Sequence, residues 1–246
     1  MTGVVVARWR PVFARQPALA ILVKEMARKG VCLQTGYEIG SVIQRANNTE
    51  YDRHPLIFEH VALALRARLP EGTRPANILS FGCSSGEEAI TLAEKYLLKD
   101  HIIGVDISDA HLNQARAANR IPERINFARS DPDFLARVAP FDVIFAMSVL
   151  CAWPDSEGKD DIASWFPFNR FARIVAELDQ YLAKRGLLVI YNASFRFSDT
   201  DTYQKYRTVQ IPGMGESGYV SKFNKDNRRC TEFDSYNEVL FEKISC

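Results

Sequence analysis

The chain of 246 residues has little that would hold a metal or a disulfide framework. Its five cysteines, Cys32, Cys83, Cys151, Cys230 and Cys246, form no Cys-x-x-Cys pair and have no histidine at ligand spacing. No metal site is expected, and unpaired cysteines of this kind fit a reducing, cytoplasmic compartment. Long apolar runs are missing too. Ala18 to Val23 follows Arg8, Arg10 and Arg15 but leads into Lys24-Glu25 with no cleavage pattern, so neither a signal peptide nor a bilayer span is expected. Asn47-Asn48-Thr49 is a glycosylation sequon by pattern only.

Charge of one sign is also lacking. The net charge is +1 with a pI near 7.6, so no overall field draws the chain to nucleic acid or an anionic membrane, and neither partner is expected. Residues 1–75 carry an excess of about five positive charges, read as a solvated basic surface. There is no internal repeat or low-complexity tract, and 47% hydrophobic residues are ample for a full core. Histidine is confined to His54, His60, His101 and His111, and that scarcity bears on the chemistry below.

The most informative stretch runs from Ile78 to Ala93. An apolar segment that reads as a buried parallel strand ends at Phe81, two glycines bracket Cys83-Ser84-Ser85, and apolar residues then recur at helical spacing from Glu87. Strand, small-residue turn and helix let a backbone approach a ligand closely. Gly82-Cys83-Ser84-Ser85-Gly86 satisfies the Gly-x-Ser-x-Gly elbow of the hydrolases, but their triad histidine comes late in the chain, and here none follows His111. A dinucleotide fingerprint fits poorly, because Ser84 stands where its middle glycine belongs.

Ser80 through Glu88 resembles motif I of the class I S-adenosylmethionine-dependent methyltransferases. Its Cys-Ser-Ser-Gly-Glu-Glu form is most similar to the chemotaxis enzymes that esterify receptor glutamates. His101 to Ser108 resembles the second strand with its ribose-binding acid, Ala128 to Asp131 the adenine-side turn, and Phe141 to Leu150 the fourth strand. Met147-Ser148 stands where the chemotaxis family writes Arg-Asn, so a receptor glutamate is not the expected acceptor. The resemblance implies a doubly wound, mostly parallel seven-stranded α/β sheet, Rossmann-like, over residues 76–246, with an amino-terminal helical cap over 1–75. It implies S-adenosyl-L-methionine as cofactor, in contact with Ser80, Gly82, Cys83, Ser84, Ser85, Gly86, Glu87, Asp106, Ile107, Ser130, Asp131, Met147 and Ser148. Asp106, 20 residues past Gly86, can accept from both ribose hydroxyls, or simply cap a helix. Glu87 or Glu88 can meet the cofactor ammonium, or only favour the helix dipole. Asp131 can accept from the adenine amino group, and Met147 can pack on the ring.

Along the chain, helices are expected over 16–29 and from Pro55, with Phe58, Val61, Ala62, Leu65 and Leu69 inward. Further expectations are a helix to Leu98, a helix from Ser108 with Leu112, Ala115 and Ala118 inward, an amphipathic helix from Phe171 to Leu182 stopped by Lys184-Arg185-Gly186, and a strand from Leu187 to Tyr191. Asp199 to Arg207 reads as a short helix, and Tyr219 to Phe223 and Glu238 to Ile244 as closing strands. Tyr51 and Arg53, in the linker before the second helix, and Trp153 and Phe166, in the long loop after the fourth strand, are candidates for the acceptor pocket. His54, Tyr191 and Asp155 are the candidate general bases, needed only for a hydroxyl or protonated amine acceptor. The expected reaction is methyl transfer to a small molecule; a protein carboxyl or RNA methyltransferase and a non-catalytic cofactor-binding scaffold remain alternatives.

Overall fold

The computed structural model describes residues 49–69, 73–230 and 236–245. The helix expected over residues 16–29 lies outside the described residues. The first described helix, α1 (Pro55–Arg68), begins on a proline, whose missing N–H would have had no helical acceptor there. It buries Ile57, Phe58, Val61 and Leu65, one face at three- and four-residue spacing.

The sheet then alternates with helices: β1 (Asn77–Phe81), α2 (Glu87–Thr91), β2 (His101–Asp106), α3 (Asp109–Ala118), β3 (Ile125–Arg129), α4 (Pro132–Val138), β4 (Phe141–Met147), α5 (Phe168–Tyr181) and β5 (Leu182–Tyr191). After two 3-10 turns, Phe197–Asp199 and Asp201–Lys205, come β6 (Tyr206–Val209) and β7 (Leu240–Lys243). The order across the sheet is β3-β2-β1-β4-β5-β7-β6. The first five strands pair parallel, and β7 runs antiparallel to both β5 and β6. The order reverses between β1 and β4, so the crevice at their carboxyl ends is where a doubly wound fold receives a ligand.

Both faces of the sheet are covered, which is why the central strands are apolar almost throughout. One cluster joins α1, α2 and α3 to Ile78, Val143 and Phe145; the other joins α4, α5 and the loop after β4 to Leu79, Ile144 and Leu188. Residues 55–68, placed in the amino-terminal cap by their sequence, therefore share a core with the sheet.

Four local features differ from the sequence reading. The helix after β1 leaves α geometry at Leu92, and Leu92–Tyr96 is a π-turn. Ala118 is exposed, because α3 turns only Leu112 and Ala115 inward. Lys184-Arg185-Gly186 does not follow a helix but lies within β5, where pairing passes from Phe141 with Leu182 to Val143 with Leu187 through a bulge. The penultimate strand is Tyr206–Val209, expected to close a short helix, whereas Tyr219 to Phe223 is bends and one isolated bridge. Tertiary charge pairing decides this: Arg207 on β6 donates to Glu242 on β7 from Nε at 2.8 Å and from its terminal nitrogen at 2.6 Å.

Candidate functional site

The turn after β1 is held by the neighbouring strand. The amides of Gly82 and Cys83 donate to the Val105 carbonyl at 2.8 and 2.9 Å, and that of Gly86 to Cys83 O at 2.9 Å. Gly82 has φ +73° and Gly86 φ +94°, a region that side chains rarely adopt. A Cβ on Gly82 would lie 2.4 Å from Val149 Cγ2, and one on Gly86 2.8 Å from Phe127 Cζ, so neither position admits a larger residue. Ser84 takes a positive φ of 52° and lifts the turn in front of the strand ends.

Asp106 closes this turn from the end of β2. Its Oδ2 accepts from Ser84 N at 2.9 Å and its Oδ1 from Ser108 N at 2.8 Å, with His111 Nδ1 3.9 Å away. Helix capping, the plainer role open to Asp106, falls to Ser108, whose hydroxyl accepts from His111 N at 3.3 Å. A carboxylate oxygen has a second lone pair, so a ligand hydroxyl can still be accepted. Ile107 offers its carbonyl to Arg129, and Ser130 N donates to the Asp106 carbonyl at 2.8 Å.

Behind the turn, Ser80 Oγ donates at 2.7 Å to Glu88 Oε1. Burial pushes the Glu88 carboxyl up to about 7, against the pull of that hydrogen bond. Glu87 instead accepts from its neighbour Ser85 Oγ at 2.9 Å. Cys83 is buried, and desolvation holds its thiol well above the ordinary value, so it serves as a small apolar filler. Asp131 is exposed and accepts from Phe134 N at 2.8 Å as the cap of α4. Met147 ends β4 at 8% exposure, beside Ser148 at φ +55°.

Two of the three candidate bases meet at the end of β5. The His54 and Tyr191 rings lie 4.5 Å apart, and Phe58 closes the other side of His54 at 6.4 Å. Desolvation, helped by the Arg53 charge, pulls the His54 ring down to about 4, so it is neutral at pH 7. Asp155 stays half-buried in the loop after β4. Trp153 stands edge-on to Tyr219 at 6.2 Å, while Phe166 is fully buried against Phe171 and Phe195 and lines no pocket mouth. Tyr51 is exposed and donates to Glu94 Oε2 at 3.1 Å.

Two residues that the sequence reading passed over hold this edge together. Asn192 Nδ2 donates to Ser148 Oγ at 3.1 Å, and its Oδ1 accepts from Tyr219 N and Val220 N at 2.9 and 3.0 Å, tying the ends of β4 and β5 to the loop before Lys222. Asp52 latches the linker onto the π-turn: it accepts from Tyr96 OH at 2.7 Å and from Lys95, and its own amide donates to Thr91 Oγ1 at 3.0 Å. Only its place two residues before His54 could have drawn notice. Asp52→Ala is expected to release the linker, so that the His54 ring moves from about 4 toward its usual 6.5 in an NMR titration while the protein stays folded. An unmoved titration would show that the latch does not set the His54 environment.

The sheet order, the glycine turn after β1 and the acid after β2 define a Rossmann-like fold of the class I methyltransferase type. Residues 78–167 match the model of a methyltransferase domain, whose methyl donor is S-adenosyl-L-methionine. Among solved structures, the chain is similar to the plantazolicin methyltransferase BpumL in complex with S-adenosylhomocysteine, at 18% identity over 56% of this chain and 48% of that one, with a TM-score of 0.40. It is also similar to precorrin-6y C5,15-methyltransferase from Geobacter metallireducens GS-15, at 12% identity over 81% of this chain and 94% of that one, with a TM-score of 0.45. An arsenic(III) S-adenosylmethionine methyltransferase from Chlamydomonas reinhardtii has 22% identity over 51% of this chain and 47% of that one, with a TM-score of 0.35. The chain thus spans about half the length of the plantazolicin enzyme. No curated protein sequence matches it. Among the described residues no helix is long and apolar enough to cross a membrane, and no cluster of metal-ligating side chains occurs.

The residues present fit the cofactor. Gly82 and Gly86 keep a positive-φ turn of small residues at the end of β1, a carboxylate stands at the end of β2, and the desolvated carboxyl of Glu88 has, among the described residues, only a serine hydroxyl as its hydrogen-bond donor.

Proposed function

We propose that the chain is an S-adenosylmethionine-dependent methyltransferase acting on a small-molecule acceptor. The observation that carries this reading is the convergence of the 82–86 turn and Asp106, joined by the Ser84 amide at 2.9 Å, at the carboxyl edge where the sheet order reverses. When bound, the cofactor supplies an electrophilic methyl group on a sulfonium.

In this reading Asp106 accepts from the ribose hydroxyls, Ser130 and Met147 border the adenine, and Asp131 stands near it while capping α4. The amides of Cys83, Ser84 and Gly86 already donate within the protein, so the Ser85 amide and the start of α2 are left to hold the cofactor carboxylate. Glu88, rather than Glu87, takes the ammonium, because it is buried and Ser80 aims it. Methyl transfer from a sulfonium neutralises charge, so the protein's main work is alignment and exclusion of water. His54 and Tyr191 wall the acceptor side; a neutral imidazole can take a proton from an acceptor that loses one. The linker and α1, with Asp52, Arg53 and His54, act as the cap of the acceptor site. The chemotaxis-type motif I supports the cofactor turn only, since Met147-Ser148 replaces the Arg-Asn of those enzymes.

One consequence is a linked proton. Glu88 with a carboxyl near 7 is largely protonated below that value, and a bound ammonium favours its charged form, so cofactor binding should release a proton. Affinity for S-adenosylhomocysteine is expected to rise as pH increases toward 7 and then level. Calorimetry at pH 6 in buffers of different ionisation heat should find proton release, and Glu88→Gln should abolish it. Function is tested by incubating the protein with methyl-labelled cofactor and cell extract. Label in the metabolite pool supports the reading; label in protein or RNA would replace the acceptor class. Tight cofactor binding with no transfer across extracts would favour a scaffold.

A further inference from the structure

The segments that follow β4 and β5 enclose a set of donors that cofactor binding does not use. Lys222 is 7% exposed, and its ammonium donates to the Ala193 carbonyl at 2.6 Å. Among the described residues it has no ion-pair partner, and one carbonyl is a poor substitute for a counter-ion at that depth. Arg196 lays its guanidinium on the Tyr236 ring, 5.2 Å from the centroid, with its buried Nε unbonded. Ser217, 2% exposed, has an unpartnered buried hydroxyl as well.

Backbone bonds bring the three residues onto adjoining segments. Asn192 N donates to Ser217 O at 2.6 Å, Ser217 N to Tyr236 O at 2.8 Å, and Phe223 N to Ser194 O at 2.9 Å. The Arg196 charge is close enough to weigh against that of Lys222. Burial, the larger cause, pulls Lys222 down to about 8, which leaves it mostly protonated at pH 7. Cys151, pushed up to about 11 by burial, stays a neutral thiol and offers no counter-charge. Exposed Glu216 makes no ion pair with Lys222. Ala193 lies two residues beyond β5 and Cys151 four beyond β4, so the cluster stands at the same carboxyl edge as Ser148 and Asn192.

A buried ammonium, a half-buried guanidinium and a buried hydroxyl, with no acid paired to them among the described residues, describe the lining of an oxyanion site. We propose that Lys222, Arg196 and Ser217 form an anion-binding subsite at the acceptor end of the cleft, and that the methyl acceptor carries a carboxylate or phosphate seated there. This rests on the reading of that edge as the acceptor site of a methyltransferase. The anion would complete the Lys222 ammonium, and its fixed position would orient the nucleophile borne by the rest of the acceptor.

The test uses the full chain with S-adenosylhomocysteine, titrated with sodium phosphate or sodium acetate against chloride at matched ionic strength. Phosphate or acetate should raise the melting temperature beyond chloride, and the more effective anion identifies the acceptor group. Lys222→Met should weaken that response by about tenfold or more, and Lys222→Arg should retain most of it. In the wild type, NMR of the lysine side-chain nitrogens should show Lys222 titrating near 8 without the anion and nearer its usual value with it. Should Lys222→Met fail to fold, Arg196→Gln and the wild-type titration decide. A wild type indifferent to both anions, or a Lys222→Met protein that responds equally, would overturn the proposal. Calorimetric binding of S-adenosylhomocysteine, measured on each protein, reports separately on the cofactor site.

Discussion

A Glu242→Ala protein is expected to lose about 3–5 kcal/mol of stability in urea unfolding, the scale for removing one partner of a buried ion pair. Glu242 projects from β7 with a side chain only 3% exposed, and its Oε2 accepts from Arg68 at 2.6 Å and from Arg207 at 2.6 and 2.8 Å. Arg207 and Arg185 are mostly exposed and would rehydrate on its loss, whereas Arg68, at 14%, would keep a charge with no partner. Burial pushes the Glu242 carboxyl up, but the hydrogen bonds from Arg68 and Arg207 outweigh it and hold the group below its ordinary 4.5. A carboxylate depressed in the folded state stabilises above its unfolded value, and that contribution falls away as pH drops below about 4.5. Asp179, held down by Lys205, Lys243 and the Tyr206 hydroxyl against a similar desolvation, adds a second acid-sensitive pairing at the same sheet edge. Glu242→Ala should therefore flatten the acid limb of the stability profile as well as lower its plateau. A loss under about 1 kcal/mol would put Glu242 among ordinary surface pairs.

Asp106→Ala is expected to weaken S-adenosylhomocysteine binding by about 2–4 kcal/mol, roughly 30- to 1,000-fold, through the loss of charge-assisted hydrogen bonds to the ribose. The same carboxylate accepts from the amides of Ser84 and Ser108, so its removal also frees the turn after β1. Asp106→Asn separates the two effects. It retains one carbonyl acceptor for the turn but presents no charge to the diol, and should recover only part of the affinity. Unchanged calorimetric affinity in a folded Asp106→Ala protein would take the ribose away from β2.

The turn after β1 and the acid after β2 were legible because their signals are local. Ile78 to Phe81 announces a buried strand, Gly82 and Gly86 are required by positive φ angles at their own positions, and Asp106 follows at a fixed distance along one crossover. Asp131 shows the limit of such reading, since an acid before a proline-started helix looks the same whether it caps or binds, and here it caps. The segments that follow β4 and β5 were much less legible. Phe166 looked like a pocket residue but fills the core, because the loop that carries it folds onto α5. Lys222 sits in a stretch that read as a closing strand, and the carbonyl that its buried ammonium meets, Ala193 O, is distant in sequence. β6 was masked because Tyr206 to Val209 becomes a strand through Arg207 and its distant partner Glu242.

The position of β7 carries a consequence for how the molecule is made. β7 follows every other described strand in sequence, yet it lies inside the sheet between β5 and β6. While the ribosome is still reading toward residue 240, the Leu187–Val189 edge of β5 has no neighbour and β6 has nothing to pair with. Nascent or truncated chains that stop short of Leu240 would present an apolar open edge, a template for intermolecular pairing. Completion of the sheet thus waits on the synthesis of residues 240–243, long after the strands on either side of them have been made.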